Sequence, residues 1–433
     1  MLQIASIWPL EMGLLLEPQV LFLLSLWVLP HFGVSLSLVL SKKYIIWVAC
    51  FTCLVAVYVL KPATSDLPKY SVYFDTGLIA TTAYKIENQK VILDPVDTTG
   101  DPFVQAWPNN PGFVMLSRAL NSIFYTGPLY PRIIVSSKRF VSDLPITVLM
   151  LLGFGSLMYP CFWAARSSGH QGGARALVLP IATMIVGSVF FLIGSQNAIR
   201  QFLGIAFLLS GFAFVQQKFY LRGAISGVLA ISMHQWVIVF AFILFLIRGV
   251  LKGIKLSNQR WAIPQAMAAG FVIGCGFLLT IKGILLGQGS GLLGLLDYLS
   301  ANTGYLSELT HYVRMDTSGH LERSSGYQKV VAVGLVVLMS EIIAGVRTAE
   351  ASQEVRLIRI ACFAFALPLI IYPEILSRYL FFYFGVEVLF LSWAVNSSVK
   401  RHQVAGLLVF SVYAFAPNAI NILLGAGWLY SLS

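Results

Sequence analysis

Residues 222–247 read RGAISGVLAISMHQWVIVFAFILFLI, an apolar run from Arg222 to Ile247 with His234 near its middle. As one helix it is long enough to cross a bilayer, since about 20 apolar residues suffice. A single crossing, however, carries Arg248, Lys252, Lys255 and Arg260 to the outer side. That opposes the tendency of lysine and arginine in short loops to stay inside. Two short helices, or a re-entrant hairpin with its tip near His234, return the chain to the inner side. They also leave Arg347, Arg356, Arg359, Lys400 and Arg401 inside. From Arg222 to His234 a helix climbs about 18 Å, a little past the midplane of a hydrocarbon core about 30 Å thick. Broken helices at that depth are tolerated where the backbone is buried in protein or lines a wet cavity. A break at His234, opening towards the outer side, is therefore expected.

Composition sets the frame around this run. The chain has 433 residues, 58% hydrophobic and 11% charged, with a mean hydropathy of +0.80, which excludes an ordinary soluble domain. The expected fold is all-α: one polytopic membrane bundle over residues 1–433, with about 11–12 spans. The net charge of +11, from 29 basic and 18 acidic residues, falls largely in short loops, so it reads as inside sorting and not as nucleic-acid binding. The five cysteines, Cys50, Cys53, Cys161, Cys275 and Cys362, all lie in apolar runs and read as small packing residues. The first basic residue is Lys42, so no charged start of a cleavable signal is expected.

Apolar windows cover Val20–Leu40, Tyr44–Leu60, Leu144–Ala165, Ala176–Gly194, Ala198–Val215, Arg222–Ile247, Ala262–Ile284, Val330–Gly345, Leu357–Tyr372, Tyr379–Val395 and Val404–Trp428. The stretch Met1–Glu17, broken by Pro9, Glu11 and Glu17, reads as interfacial. Lys42 and Lys43, Arg166 and Arg175, and Lys218 with Arg222 mark inner connections. Two larger segments then face outwards. Residues 61–143 carry Asp66, Tyr70, Tyr73 and a turn signal, Asn109-Asn110-Pro111-Gly112-Phe113, feeding an amphipathic helix over Val114–Tyr125. Residues 285–328 mix aromatic and polar groups.

Arg200, His234 and Arg378 stand out because each interrupts or abuts an apolar run. Arginine at bilayer depth costs roughly 2.5–3.5 kcal/mol on insertion scales, so such residues serve an anion, a partner or a pathway. Arg200 opens the fifth span and Arg378 the tenth, both at the outer level, and His234 approaches that level from the other side. Two guanidinium forks match phosphate or diphosphate oxygens and stay ionised when buried. The start of the fifth span adds backbone N–H groups and a positive dipole end. Taken singly, each arginine also reads as a headgroup-snorkelling residue and His234 as a packing residue. No set of Asp, Glu or His at ligand spacing argues for a divalent ion, so neither metal nor cofactor is expected.

In order along the chain come Asp66-Leu-Pro-Lys-Tyr70-Ser-Val-Tyr73, Pro111-Gly112-Phe113, Asn197-Ala-Ile-Arg200-Gln201, Met233-His234 and Ser377-Arg378-Tyr379. This series resembles the EpsG/Wzy group of bacterial polysaccharide polymerases from Asp66 to about Tyr383. Asn110 stands where that group often has glutamate, and Met233 where it often has phenylalanine. The resemblance implies a multi-pass protein of the bacterial cytoplasmic membrane. It would join oligosaccharide repeat units carried on undecaprenyl diphosphate by glycosyl transfer at the outer face, alongside a flippase and a chain-length regulator. On that reading Arg200 and Arg378 grip the donor diphosphate. His234 or Asp66 serves the attacking hydroxyl, and Asn197, Gln201, Tyr70 and Tyr379 line the substrate. Two other classes stay open: an O-antigen ligase using the same donor, and a transporter or flippase of lipid-linked saccharide.

Overall fold

The computed structural model describes residues 18–40, 43–60, 84–87, 90–93, 112, 115, 116, 119, 120, 138–169, 173–234, 236–253, 261–285, 324–345 and 353–412. The helices are α1 (Pro18–Ser37), α2 (Lys43–Leu60), α3 (Lys138–Ser167), α4 (Ala174–Val186), α5 (Val189–Asn197), α6 (Ile199–Gln216) and α7 (Tyr220–Met233). They continue with α8 (Trp236–Gly253), α9 (Ala262–Leu285), α10 (Ser324–Ala344), α11 (Glu354–Ala366), α12 (Pro373–Val395) and α13 (residues 400–412). Among the described residues six helices are long and apolar enough to cross a membrane: α1, α3, α6, α8, α9 and α12. The chain is a multi-pass membrane protein built as a helical bundle. One antiparallel hairpin, β1 (Tyr84–Glu87) with β2 (Lys90–Leu93), lies in the first long polar segment, where no strand was expected.

Contacts along the helices fix their directions. Gly153, Ser156 and Tyr159 of α3 meet Phe202, Ser210 and Phe214 of α6, so these two run parallel. Gln201 and Ile205 meet Arg378 and Gly385, so α12 runs the same way. Cys362 and Arg359 of α11 meet Tyr379 and Glu387, which makes α11 antiparallel to α12. The glycine pair Gly270 and Gly274 of α9 lets its backbone close on Ala361 and Phe365 of α11, the use of small residues that membrane bundles favour. α6 and α12 form the centre, with 72% and 83% of their spanning windows buried, against 28% for α9 at the periphery.

One end of the bundle gathers the basic connections. Arg166 closes α3, Arg175 opens α4, Lys218 and Arg222 flank the α6–α7 turn, Arg248 and Lys252 close α8, and Lys400 and Arg401 open α13. Lys218 turns the chain in the left-handed region, with φ 65°, and Phe219 N–H bonds back to the Phe214 carbonyl at 2.9 Å. From there α7 climbs beside α6, with the Gly211 and Gly223 backbones in close approach. The helix stops at His234, which is extended at φ −156° and ψ 125°. α8 then comes back: Arg248 near its end bonds Gln216, the last residue of α6, and Glu354, the first of α11. α7 and α8 therefore fold back on each other at His234, with the start of α7 and the end of α8 both at the basic end.

Some boundaries differ from the sequence reading. The window Ala176–Gly194 is two helices, because Ser188 caps α5 by accepting from Phe191 N–H at 3.1 Å while donating to the Ile185 carbonyl at 2.7 Å. A capping serine of this kind ends one helix and starts the next. The outer segment 61–143 ends earlier, since residues 138–143 already belong to α3, and the segment 285–328 is helical from Ser324. Arg356 and Arg359, expected on the inner side, lie in the first two turns of α11 and are 1% and 0% exposed.

That burial is compensated. Arg356 pairs with Glu341 of α10. Arg359 Nε lies 2.9 and 3.0 Å from the two oxygens of Glu387, and its Nη1 lies 3.0 Å from Glu341 and 2.9 Å from Ser340 Oγ. Tyr383 donates to Glu387, and the guanidinium of Arg359 sits 3.9 Å from the Phe390 ring centre. Two cations and two anions close a neutral group between α10, α11 and α12, which is the condition for keeping charge away from water.

Candidate functional site

The end opposite the basic connections collects most of the residues singled out by sequence. Arg200 lies in the first turn of α6, directly after the kink at Ala198 (φ −143°, ψ 47°) that separates α5 from α6. No side chain caps this start, so its first N–H groups and dipole present a positive end. Arg200 is partly buried, as is Arg378 one turn into α12.

Gln201 joins the two helices. It is 2% exposed; its amide nitrogen donates to the Arg378 carbonyl at 3.1 Å, and its amide oxygen accepts from Arg378 Nη1 at 3.4 Å. Both ends of the amide contact Arg378, so Gln201 fixes that arginine in place. Next to Arg378, Ser377 Oγ accepts from Lys329 of α10 at 3.4 Å, which brings a further cation to this end. Sequence reading passed over Lys329, and its place directly before the window that opens at Val330 carries no signal of its own.

The hairpin tip reaches the same neighbourhood. Gly204 of α6 lies one turn, about 6 Å, below Arg200 on the same helix face. A Cβ placed there would stand 2.7 Å from Val237 Cγ2, 3.2 Å from the Ala230 carbonyl and 3.4 Å from His234 Cβ. The tip thus docks against α6 because residue 204 has no side chain. His234 is 3% exposed, and its Nδ1 accepts from Trp236 N–H at 3.3 Å. An accepting Nδ1 puts the proton of the neutral ring on Nε2, so the imidazole offers a hydrogen-bond donor there.

Gly112 of the Pro-Gly-Phe motif arrives at the tip as well. Gly112 abuts Ser232, two residues before His234, so closely that a Cβ would overlap the Ser232 side chain. Of the residues described after it, Met115 and Ala119 are exposed, Leu116 is half-buried and Leu120 is buried. Elements distant in sequence, 112, 200–204, 232–237 and 377–378, are brought to one end of the bundle.

Other expectations end differently. Tyr379 is 1% exposed and its hydroxyl donates to the Cys362 carbonyl at 2.7 Å; it packs α12 on α11 and does not line a substrate path. Asn197 is the last residue of α5, with its side chain outside the described residues. Asp66 and Tyr70 also lie outside them. Among the described residues no three His, Cys, Asp or Glu gather as a ligand group. The buried acids Glu341 and Glu387 were legible by the rule that singled out Arg200, since each interrupts an apolar window. Comparison with protein-family models, curated proteins and solved structures finds no match.

Proposed function

We propose that this protein is a polysaccharide polymerase of the bacterial cytoplasmic membrane, joining oligosaccharide repeat units held on undecaprenyl diphosphate. The basic end then faces the cytoplasm, the hairpin α7–α8 re-enters from that side, and chemistry takes place at the outer end. The observation that carries the reading is the meeting of Arg378, held by Gln201, with the uncapped start of α6 at Arg200 and the hairpin tip at His234. Gly112, Arg200, Gln201, His234, Ser377 and Arg378, from four of the motifs in the EpsG/Wzy resemblance, fall on these same elements.

In the reaction, the bond between the anomeric carbon of the growing chain and its diphosphate oxygen breaks. A sugar hydroxyl of the incoming unit forms the new glycosidic bond and releases a proton. Charge develops on the departing diphosphate, and guanidinium groups already in place stabilise it without reorganising. His234 serves as a donor through Nε2, and Asp66 becomes the candidate to take the hydroxyl proton.

Arg200→Ala and Arg378→Ala should each abolish long chains in cells while single lipid-linked repeats accumulate. Lysine at either position should restore only part of the length, because a point charge lacks the two-pronged geometry. Normal chain-length ladders in both alanine variants would remove the assignment. Supplying the purified protein with lipid-linked repeat alone separates the other classes: a ligase needs a second acceptor, and a flippase moves the repeat without making a bond.

A further inference from the structure

At the basic end, away from the site, a groove of about 640 Å³ opens between the α1–α2 turn, the start of α4 and the turn after α12. Its apolar side is made by Leu38, Trp47, Leu179, Pro180 and Val395, and its polar side includes Asn396 and Gln403. We propose that it holds an anionic phospholipid of the adjoining leaflet, headgroup at the rim and acyl chain along Trp47 and Leu179.

Charge at the rim points to an anion. Three helices start here, and each carries a cation within its first two residues: Lys43 of α2, Arg175 of α4 and Lys400 of α13. Sorting of loops by charge places lysine and arginine at this end, but it does not require them at helix starts, where the dipole is positive and disfavours a cation. At two of these starts the cation, Arg175 or Lys400, is exposed next to the lining residues Ala176 and Ser398, which favours a negative group in the groove. Arg175 and Lys400 are exposed, with no ion-pair partner among the described residues. α4 also lacks a side-chain cap at Gly173, leaving its first N–H groups available to a phosphate. The apolar wall selects a lipid over a free phosphate, and Tyr44, 71% exposed beside the buried Trp47, provides the amphipathic ring found at headgroup level.

The test uses the full chain purified in neutral detergent, with phosphatidylglycerol, phosphatidylcholine of the same acyl chains, and inorganic phosphate as probes. Native mass spectrometry and the thermal midpoint are the readouts. Phosphatidylglycerol should stay bound and raise the midpoint, whereas the other two should not. Arg175→Gln combined with Lys400→Gln should weaken its retention roughly thirty-fold, from the attraction expected of two basic residues at a membrane surface. Ala176→Trp, at an exposed position of the lining, should block retention with the charges intact. Equal retention of the two lipids, inorganic phosphate matching the lipid effect, or unchanged binding in both variants would overturn the proposal.

Discussion

Replacing Glu387 by glutamine should destabilise the protein far more than the loss of a surface ion pair, and removing Arg359 as well should restore most of the loss. The Glu387 carboxylate receives Arg359 Nε at 2.9 and 3.0 Å and the Tyr383 hydroxyl. Glutamine keeps the volume and one oxygen but leaves Arg356 and Arg359 to share Glu341. Exposure at the four charged groups is 1%, 0%, 9% and 3% for Arg356, Arg359, Glu341 and Glu387, so water does not screen the excess cation. Stranding one buried charge in this way costs about 3–5 kcal/mol, a factor of at least about a hundred in the folded ratio. Arg359→Met with Glu387→Met deletes the pair together, leaves Arg356 with Glu341, and should return to within about 2 kcal/mol of the parent. Unfolding in mixed micelles, followed through tryptophan emission, gives both values and the coupling between them. If the two single changes simply add, within about 0.5 kcal/mol, the four-charge account is wrong.

Gly112→Ala should push the Pro-Gly-Phe element off Ser232 and shorten the polysaccharide without lowering the amount of protein in the membrane. Ser232→Gly in the same chain should recover part of the length, and failure to recover any would disconnect the two residues. His402, in the first turn of α13, lies against the Trp393 ring at 4.6 Å between centroids and is bonded to Ser397 Oγ at 2.9 Å. Burial, helped by the charge of Arg356, holds its pKa down to about 4. The unfolded imidazole, near 6.5, takes up its proton first, so this contribution to stability is whole above pH 6.5 and declines as pH falls towards 4. His402→Asn should flatten that decline; parallel acid curves for parent and variant would show that another group is responsible.

Much of the bundle was legible because a span requires a long apolar run, and the runs at 20–40, 198–215 and 262–284 became helices nearly as read. The reversal at His234 was legible for a different reason: charge sorting forbids a straight crossing. The Ser188 break was not, since a serine with a preceding glycine looks like any small pair in an apolar stretch. The Arg378–Gln201 contact spans 177 residues, and no local pattern announces such a partner. The burial of Arg356 and Arg359 was not legible, because their counter-ions Glu341 and Glu387 are remote in sequence. Tyr379 was drawn into the site by its neighbour Arg378, although successive residues on a helix point about 100° apart.

The hairpin also sets a parity. A segment that departs from the basic end and returns to it leaves the chain on the side where it began, so the directions of α9, α10, α11 and α12 follow from the one that α6 established. Straightened through His234 into a single crossing, the same residues would turn the final third of the molecule upside down. Arg378 would then stand at the face opposite Arg200, with Ser377 and Lys329 beside it. One extended residue at the fold-back thus decides on which side of the lipid the two arginines can ever be neighbours.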